Sequence, residues 1–85
     1  MKEFSYVLKD ENGIHARPAG AFVKEASKFS SDIVIKNGEK QADGKRLFAL
    51  MGLAAKKGDE IKVEVQGDDE ETAAQALENF LSTNM

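Results

Sequence analysis

The sequence predicts an α+β fold: one four-stranded antiparallel sheet, open on one face, with three helices packed on the other. Three observations predict it. Ile61, Val63 and Val65 alternate with Lys62, Glu64 and Gln66, the two-residue period of a half-buried strand. Ala19, Phe22, Val23 and Ala26 fall at i, i+3, i+4 and i+7, the spacing of one helical face. Turn formers separate the periodic stretches and set their order as βαββαβα.

Each element has its own signal. Lys2 to Leu8 reads as a strand with Phe4, Tyr6 and Leu8 on one face. Asp10 to Gly13 is a loop, since two carboxylates, Asn and Gly are turn formers. The first helix is expected from Ala16 to Lys28. Pro18 is tolerated only in a first turn, which fixes the helix start beside His15. Asp32 to Lys36 is a strand carrying Ile33, Val34 and Ile35, and Asn37-Gly38 signals a hairpin. The returning strand, Glu39 to Ala42, is polar and is expected to be short or at an edge. Asp43-Gly44 marks a turn. Lys45 to Ala55 then reads as a short helix with six apolar residues, Leu47, Phe48, Leu50, Met51, Leu53 and Ala54. Gly58 closes that region. A final helix follows the last strand, with Asp68 or Asp69 as its cap, Glu70 and Glu71 at the positive end of its dipole, and Ala73, Ala76, Leu77, Phe80 and Leu81 as its apolar stripe.

Composition narrows the function. Eighty-five residues with 41% apolar and 32% charged content predict one domain, residues 1–85, with no linker or repeat. There are no cysteines, which excludes disulfides and thiolate metal sites, and a single histidine argues against zinc or iron. No long apolar run or signal segment is present, so a cytoplasmic protein is the default expectation. The net charge of −3 is uneven. Residues 1–57 hold 11 Lys/Arg against 7 Asp/Glu, and residues 58–85 hold one Lys against 8 Asp/Glu. A sequence pI near 5.1 disfavours nucleic-acid binding, while the relatively basic setting of His15 suits an acidic partner.

The chemistry concentrates at Asn12-Gly13-Ile14-His15-Ala16-Arg17-Pro18-Ala19. A helix start offers unpaired N–H groups that stabilise anions. Arg17 adds a cation whose geometry suits phosphate oxygens. Neutral imidazole is a good nucleophile towards phosphorus, and the N–P bond it forms is labile enough to pass the phosphoryl group on. On these residues alone, two readings stand: a surface histidine or simple helix cap, and a phosphohistidine site with Ala16, Arg17 and Pro18 as the phosphate cradle.

The wider pattern resembles a known family. His15-Ala16-Arg17-Pro18-Ala19, Phe22-Val23-Lys24-Glu25-Ala26, Leu47-Phe48-Ala49-Leu50-Met51-Gly52-Leu53 and Lys57-Gly58 together are similar to HPr, the histidine-containing phosphocarrier of the bacterial phosphoenolpyruvate-dependent sugar phosphotransferase system. The resemblance is co-linear over essentially the whole chain. It implies an open-faced βαββαβα sandwich. It also implies that His15 accepts a phosphoryl group on Nδ1 from phosphorylated Enzyme I and donates it to IIA domains of sugar permeases, with Arg17 assisting. It further implies a carrier without turnover of its own, needing no cofactor or metal, and a docking surface formed by Leu47, Phe48 and Met51 with Gly20, Lys24 and Ser27. Which of the six apolar residues of the second helix face outward, spacing alone leaves open. A glycine such as Gly20 inside a helix costs roughly 1 kcal/mol relative to alanine and lets a partner's backbone come close. A carrier that shows one site to several partners is expected to be a monomer.

One departure is informative. Many relatives open the second helix with a serine that a dedicated kinase phosphorylates, whereas this chain has Arg46. Arginine has no hydroxyl, and its charge opposes the helix dipole. Seryl regulation is therefore not expected, and Arg46 is a candidate for drawing in acidic partners. The alternatives are a paralogue serving a nitrogen-related or regulatory phosphorelay, and an unphosphorylated interaction domain. The pairing of His15 with Arg17 argues against the last.

Overall fold

A computed structural model describes residues 1–85. Seven elements follow in order: β1 (Lys2–Val7), α1 (Ala16–Ala26), β2 (Asp32–Asn37), β3 (Lys40–Asp43), α2 (Leu47–Met51), β4 (Glu60–Gln66) and α3 (Glu70–Asn84). The strands form one antiparallel sheet in the order β1-β4-β2-β3. The expected βαββαβα sandwich is the observed one.

The alternation of β4 explains its central place. Ile61, Val63 and Val65 are fully buried, and they face Tyr6, Phe4 and Lys2 of β1 across one ladder. Across the other ladder Val63 and Val65 face Ile35 and Ile33 of β2. Phe22 and Ala26 of α1, Leu50 of α2, and Ala73, Leu77 and Leu81 of α3 complete this core. The rings of Phe22 and Phe80 meet edge to face at 5.8 Å, which joins α1 to α3. On the opposite face, Lys62 pairs with Glu3 at 3.3 Å and Lys36 with Glu64 at 3.1 Å. These cross-strand pairs keep that face open to water.

The structure corrects several boundaries. α1 ends at Ala26 rather than Lys28. Lys28 and Phe29 donate to carbonyls only three residues back, and Phe29 turns in against the core while its carbonyl accepts the Lys45 ammonium at 2.8 Å. The edge strand runs one residue later than expected, over Lys40–Asp43. Gly38 has φ +63 and Glu39 does not share a positive φ, which sets a turn with glycine at its first central position.

α2 is five residues long, not the eleven of Lys45–Ala55. After Gly52 the chain passes through Ala54 at φ +51, a left-handed residue that ends a helix. Leu53 and Ala55 are buried beyond the helix end. In α3, Ala74 rather than Ala76 joins Ala73 and Leu77 against the core. Asp69 occupies the cap position, but its side chain makes no capping bond. Its carboxylate instead accepts the N–H groups of Ser30 (2.9 Å) and Ser31 (3.0 Å) and the Ser31 hydroxyl. That hydroxyl first, and the Ser30 N–H second, hold the Asp69 carboxyl below its ordinary value. The bond ties the α1–β2 junction to the start of α3.

Candidate functional site

The loop before α1 is fixed before the site begins. Gly13 N–H donates to Asp10 C=O (2.9 Å), and Asn12 N–H donates to the Asp10 carboxylate (2.8 Å). The backbone of Gly13, at φ +61, lies so close to the 53–58 segment that an added methyl would stand 2.1 Å from Ala55 O. The same carbonyl accepts Ile14 N–H at 3.1 Å. On the other side, the N–H groups of Lys9 and Asp10 donate to Met85 C=O at 2.7 and 3.0 Å. Two distant segments thus clamp the residues that lead into His15.

His15 is the cap residue of α1, with extended backbone at φ −118, ψ 177. Its carbonyl accepts Ala19 N–H at 3.0 Å, the first bond of the helix. The N–H groups of Ala16 and Arg17 precede that bond, and Pro18 has none to offer. The His15 ring makes no capping bond. His15 thus holds the cap position without its ring doing the capping, and the helix N–H groups are left for another acceptor. Pro18 is buried, while Ala16 and Arg17 are exposed.

Asp10, His15, Arg17, Pro18, Ala21 and Asn84 line a shallow depression of about 240 Å³. Arg17 has no ion-pair partner within the chain, and its guanidinium is free for a bound anion. Asp10 and Asn84 were not among the residues singled out from sequence. Asp10 stands five positions before His15, and Asn84 reaches the site only through the packing of α3. The usable signal for Asp10 was local: an Asp two residues before an Asn makes an Asx turn that aims a carboxylate forward.

The expected docking residues separate into exposed and half-buried sets. Phe48 is 83% exposed and Met51 39% exposed, both unusual for large apolar side chains. Leu47 is half-buried and packs against the core, so Phe48 and Met51 are the outward pair. Arg46 occupies the cap position of α2 without a side-chain capping bond, and its exposed guanidinium lies 3.7 Å from the Asp43 carboxylate. Gly20 and Lys24 of α1 and Ser27 at its C-terminal cap share the i, i+4, i+7 face, and nothing lies within 4 Å of where a Gly20 methyl would sit. α1 and α2 pack against each other, which brings these two sets onto neighbouring helices. No helix is long and apolar enough to cross a membrane.

Fold and site together define an open-faced βαββαβα sandwich that presents an uncapped histidine and a free arginine at one helix start. Comparison with known proteins gives the family. Residues 2–83 match the family model described as the PTS HPr component phosphorylation site. The phosphocarrier protein HPr of Mycoplasma capricolum subsp. capricolum is 45% identical over 81 residues, covering 95% of this chain and 91% of that one. That of Lysinibacillus sphaericus is 40% identical over 82 residues, covering 96% and 93%. Among solved structures, the histidine-containing phosphocarrier protein of Mycoplasma superposes with a TM-score of 0.94 at 41% identity, over 96% of this chain and 93% of that one. HPr-C-His of Thermoanaerobacter tengcongensis gives 0.93 at 40% identity, over 98% and 93%. The chain belongs to the HPr family, the phosphocarriers of the phosphotransferase system.

Proposed function

We propose that His15 is the phosphoryl acceptor, that Nδ1 is the reacting atom, and that the donor is phosphorylated Enzyme I and the acceptors are IIA domains of sugar permeases. The observation that carries this is the uncapped His15 ring at the first turn of α1, in one depression with an unpaired Arg17. The Nδ1 lone pair attacks phosphorus as the bond to the donor breaks and the donor keeps that electron pair. The N–H groups of Ala16 and Arg17 and the Arg17 guanidinium receive the phosphoryl oxygens, and Pro18 fixes the first turn that completes this cradle. Phosphoryl transfer requires this positioning and charge stabilisation rather than further covalent chemistry. The return step is the reverse at a different partner, so the chain acts as a shuttled substrate with no turnover of its own.

Partners dock on Phe48 and Met51, flanked by Gly20, Lys24, Ser27, Leu47 and Arg46. A small exposed apolar patch beside cations suits transient association with an acidic surface. The working form is a cytoplasmic monomer of one domain. The test is a relay: Enzyme I and phosphoenolpyruvate charge the protein, which is isolated and mixed with a sugar IIA domain. Label passes to IIA, and Arg17→Ala slows the passage with the fold intact. Charged protein that gives no label to any sugar IIA domain contradicts the assignment.

A further inference from the structure

The acceptor reading just proposed leaves a question of ring chemistry: what makes one imidazole nitrogen the nucleophile and reserves the other? Asp10 stands where it can decide. Its carboxylate Oδ1 lies 3.8 Å from His15 Nε2, with the two side chains 31% and 30% exposed for histidine and aspartate respectively. This is an ion-pair separation rather than a direct hydrogen bond. The carboxylate is not a loose surface group. Oδ1 also accepts Asn12 N–H at 2.8 Å, the Asp10 carbonyl accepts Gly13 N–H, and the Asp10 amide is held by Met85 C=O. Every backbone polar group of the residue is thus engaged, and the negative charge is fixed on the Nε2 side of the ring. Around the depression, the charged side chains are Asp10 and Arg17, and α3 contributes only uncharged Asn84.

We infer that Asp10 is a positioning residue for the phosphoryl relay: its charge favours the tautomer with the proton on Nε2 and so leaves the lone pair on Nδ1. The inference rests on the assignment of His15 as acceptor. The proton balance follows. The neutral ring with Nε2–H attacks through Nδ1, the N–P bond forms, and the ring becomes cationic with the Nε2 proton still in place. Asp10 balances that charge for as long as the phosphoryl group stays. When the group leaves for an acceptor, the electron pair of the N–P bond returns to Nδ1. The ring is then neutral again and no proton has moved in either direction. Without the carboxylate, no fixed negative charge stands on the Nε2 side of the cationic ring from which the phosphoryl group departs. The charge on Asp10 therefore serves the donating half of the cycle as well as the accepting half.

The test combines a spectroscopic and a kinetic reading. Nitrogen-15 NMR of the full-length protein identifies which ring nitrogen carries the proton when His15 is neutral. The expected result is Nε2, and a proton mainly on Nδ1 overturns the inference without any variant. Asp10→Asn keeps the Oδ1 acceptor for Asn12 N–H and removes only the charge. It is expected to reduce the preference for Nε2–H and to slow donation to a IIA domain by about 2- to 5-fold, the range of a partly exposed ion pair. Glu11→Gln removes an equal charge from an exposed neighbour and is expected to change neither. Unaltered tautomer and donation rate in Asp10→Asn, or equal effects from Glu11→Gln, overturn the inference. If label instead forms in wild type but survives His15→Ala, the acceptor reading itself has failed, and the two failures are distinct.

Discussion

Gly13 and Gly38 share nearly the same left-handed backbone, at φ +61 and +63, but differ in their surroundings. An added methyl at Gly38 meets nothing within 4 Å. At Gly13 it would stand 2.1 Å from Ala55 O and 2.8 Å from Lys56 Cα. Both are backbone atoms, so neither can rotate away. Gly38→Ala therefore tests conformation alone, at about 1–2 kcal/mol for a non-glycine residue in the left-handed region. Gly13→Ala bears the same conformational term and must also push the 53–58 segment aside. The Ile14 N–H to Ala55 C=O bond is lost with it, worth about 0.5–1.5 kcal/mol. The stabilising effect of restricting the unfolded chain is the same for both substitutions and cancels in the comparison. Gly13→Ala should therefore be less stable than Gly38→Ala by at least about 1 kcal/mol, or about 4–8 °C in melting temperature for a domain of this size. Thermal melts followed by circular dichroism measure the difference. Because the displaced loop carries His15 two residues on, Gly13→Ala should also accept phosphate more slowly, while Gly38→Ala should not. Equal melting temperatures for the two variants would refute the idea that close backbone packing at Gly13 anchors the site.

Three further outcomes are expected. Phe48→Ala removes an 83%-exposed ring, so stability should change by no more than about 0.5 kcal/mol while transfer to partners weakens at least about 5-fold through KM; unchanged transfer kinetics would remove Phe48 from the docking surface. Asp69 has a folded-state pKa below its ordinary value, so its stabilising effect is present above that value and is lost as pH falls through the folded one. Asp69→Asn should accordingly flatten the acid limb of a stability–pH curve below about pH 4, and an unchanged acid limb would contradict the hydrogen-bonded role assigned to it. Arg46 lacks a hydroxyl, so a seryl HPr kinase with ATP should leave the protein unmodified, and stoichiometric labelling read by mass spectrometry would contradict this.

How much of this was legible in the sequence depended on the kind of interaction involved. The alternation of Ile61, Val63 and Val65 located the buried central strand, because side-chain direction in a strand follows from covalent geometry. Pro18 located the start of α1 because its missing N–H has a place only in a first turn. Apolar content misled at the end of α2. Leu53 and Ala55 are as buried as helix residues, but the left-handed Ala54 sits between them, and burial does not specify conformation. Asp69 had the residue type of a cap, and tertiary partners Ser30 and Ser31 took its carboxylate instead. At the site, His15 and Arg17 were visible as neighbours in the chain. Asp10 reaches the depression through a local Asx turn of its own stretch, whereas Asn84 arrives only through the packing of a helix end, a relation that local spacing does not encode.

The position of the phosphoryl group tests the role of His15 most directly. Wild-type protein is incubated with Enzyme I and phosphoenolpyruvate, and the product is examined by intact mass and phosphorus-31 NMR. One acid-labile, alkali-stable phosphoryl group per chain is expected, bonded to His15 Nδ1 and absent from His15→Ala. A group bonded to any other atom, or an equal yield from His15→Ala, would contradict it.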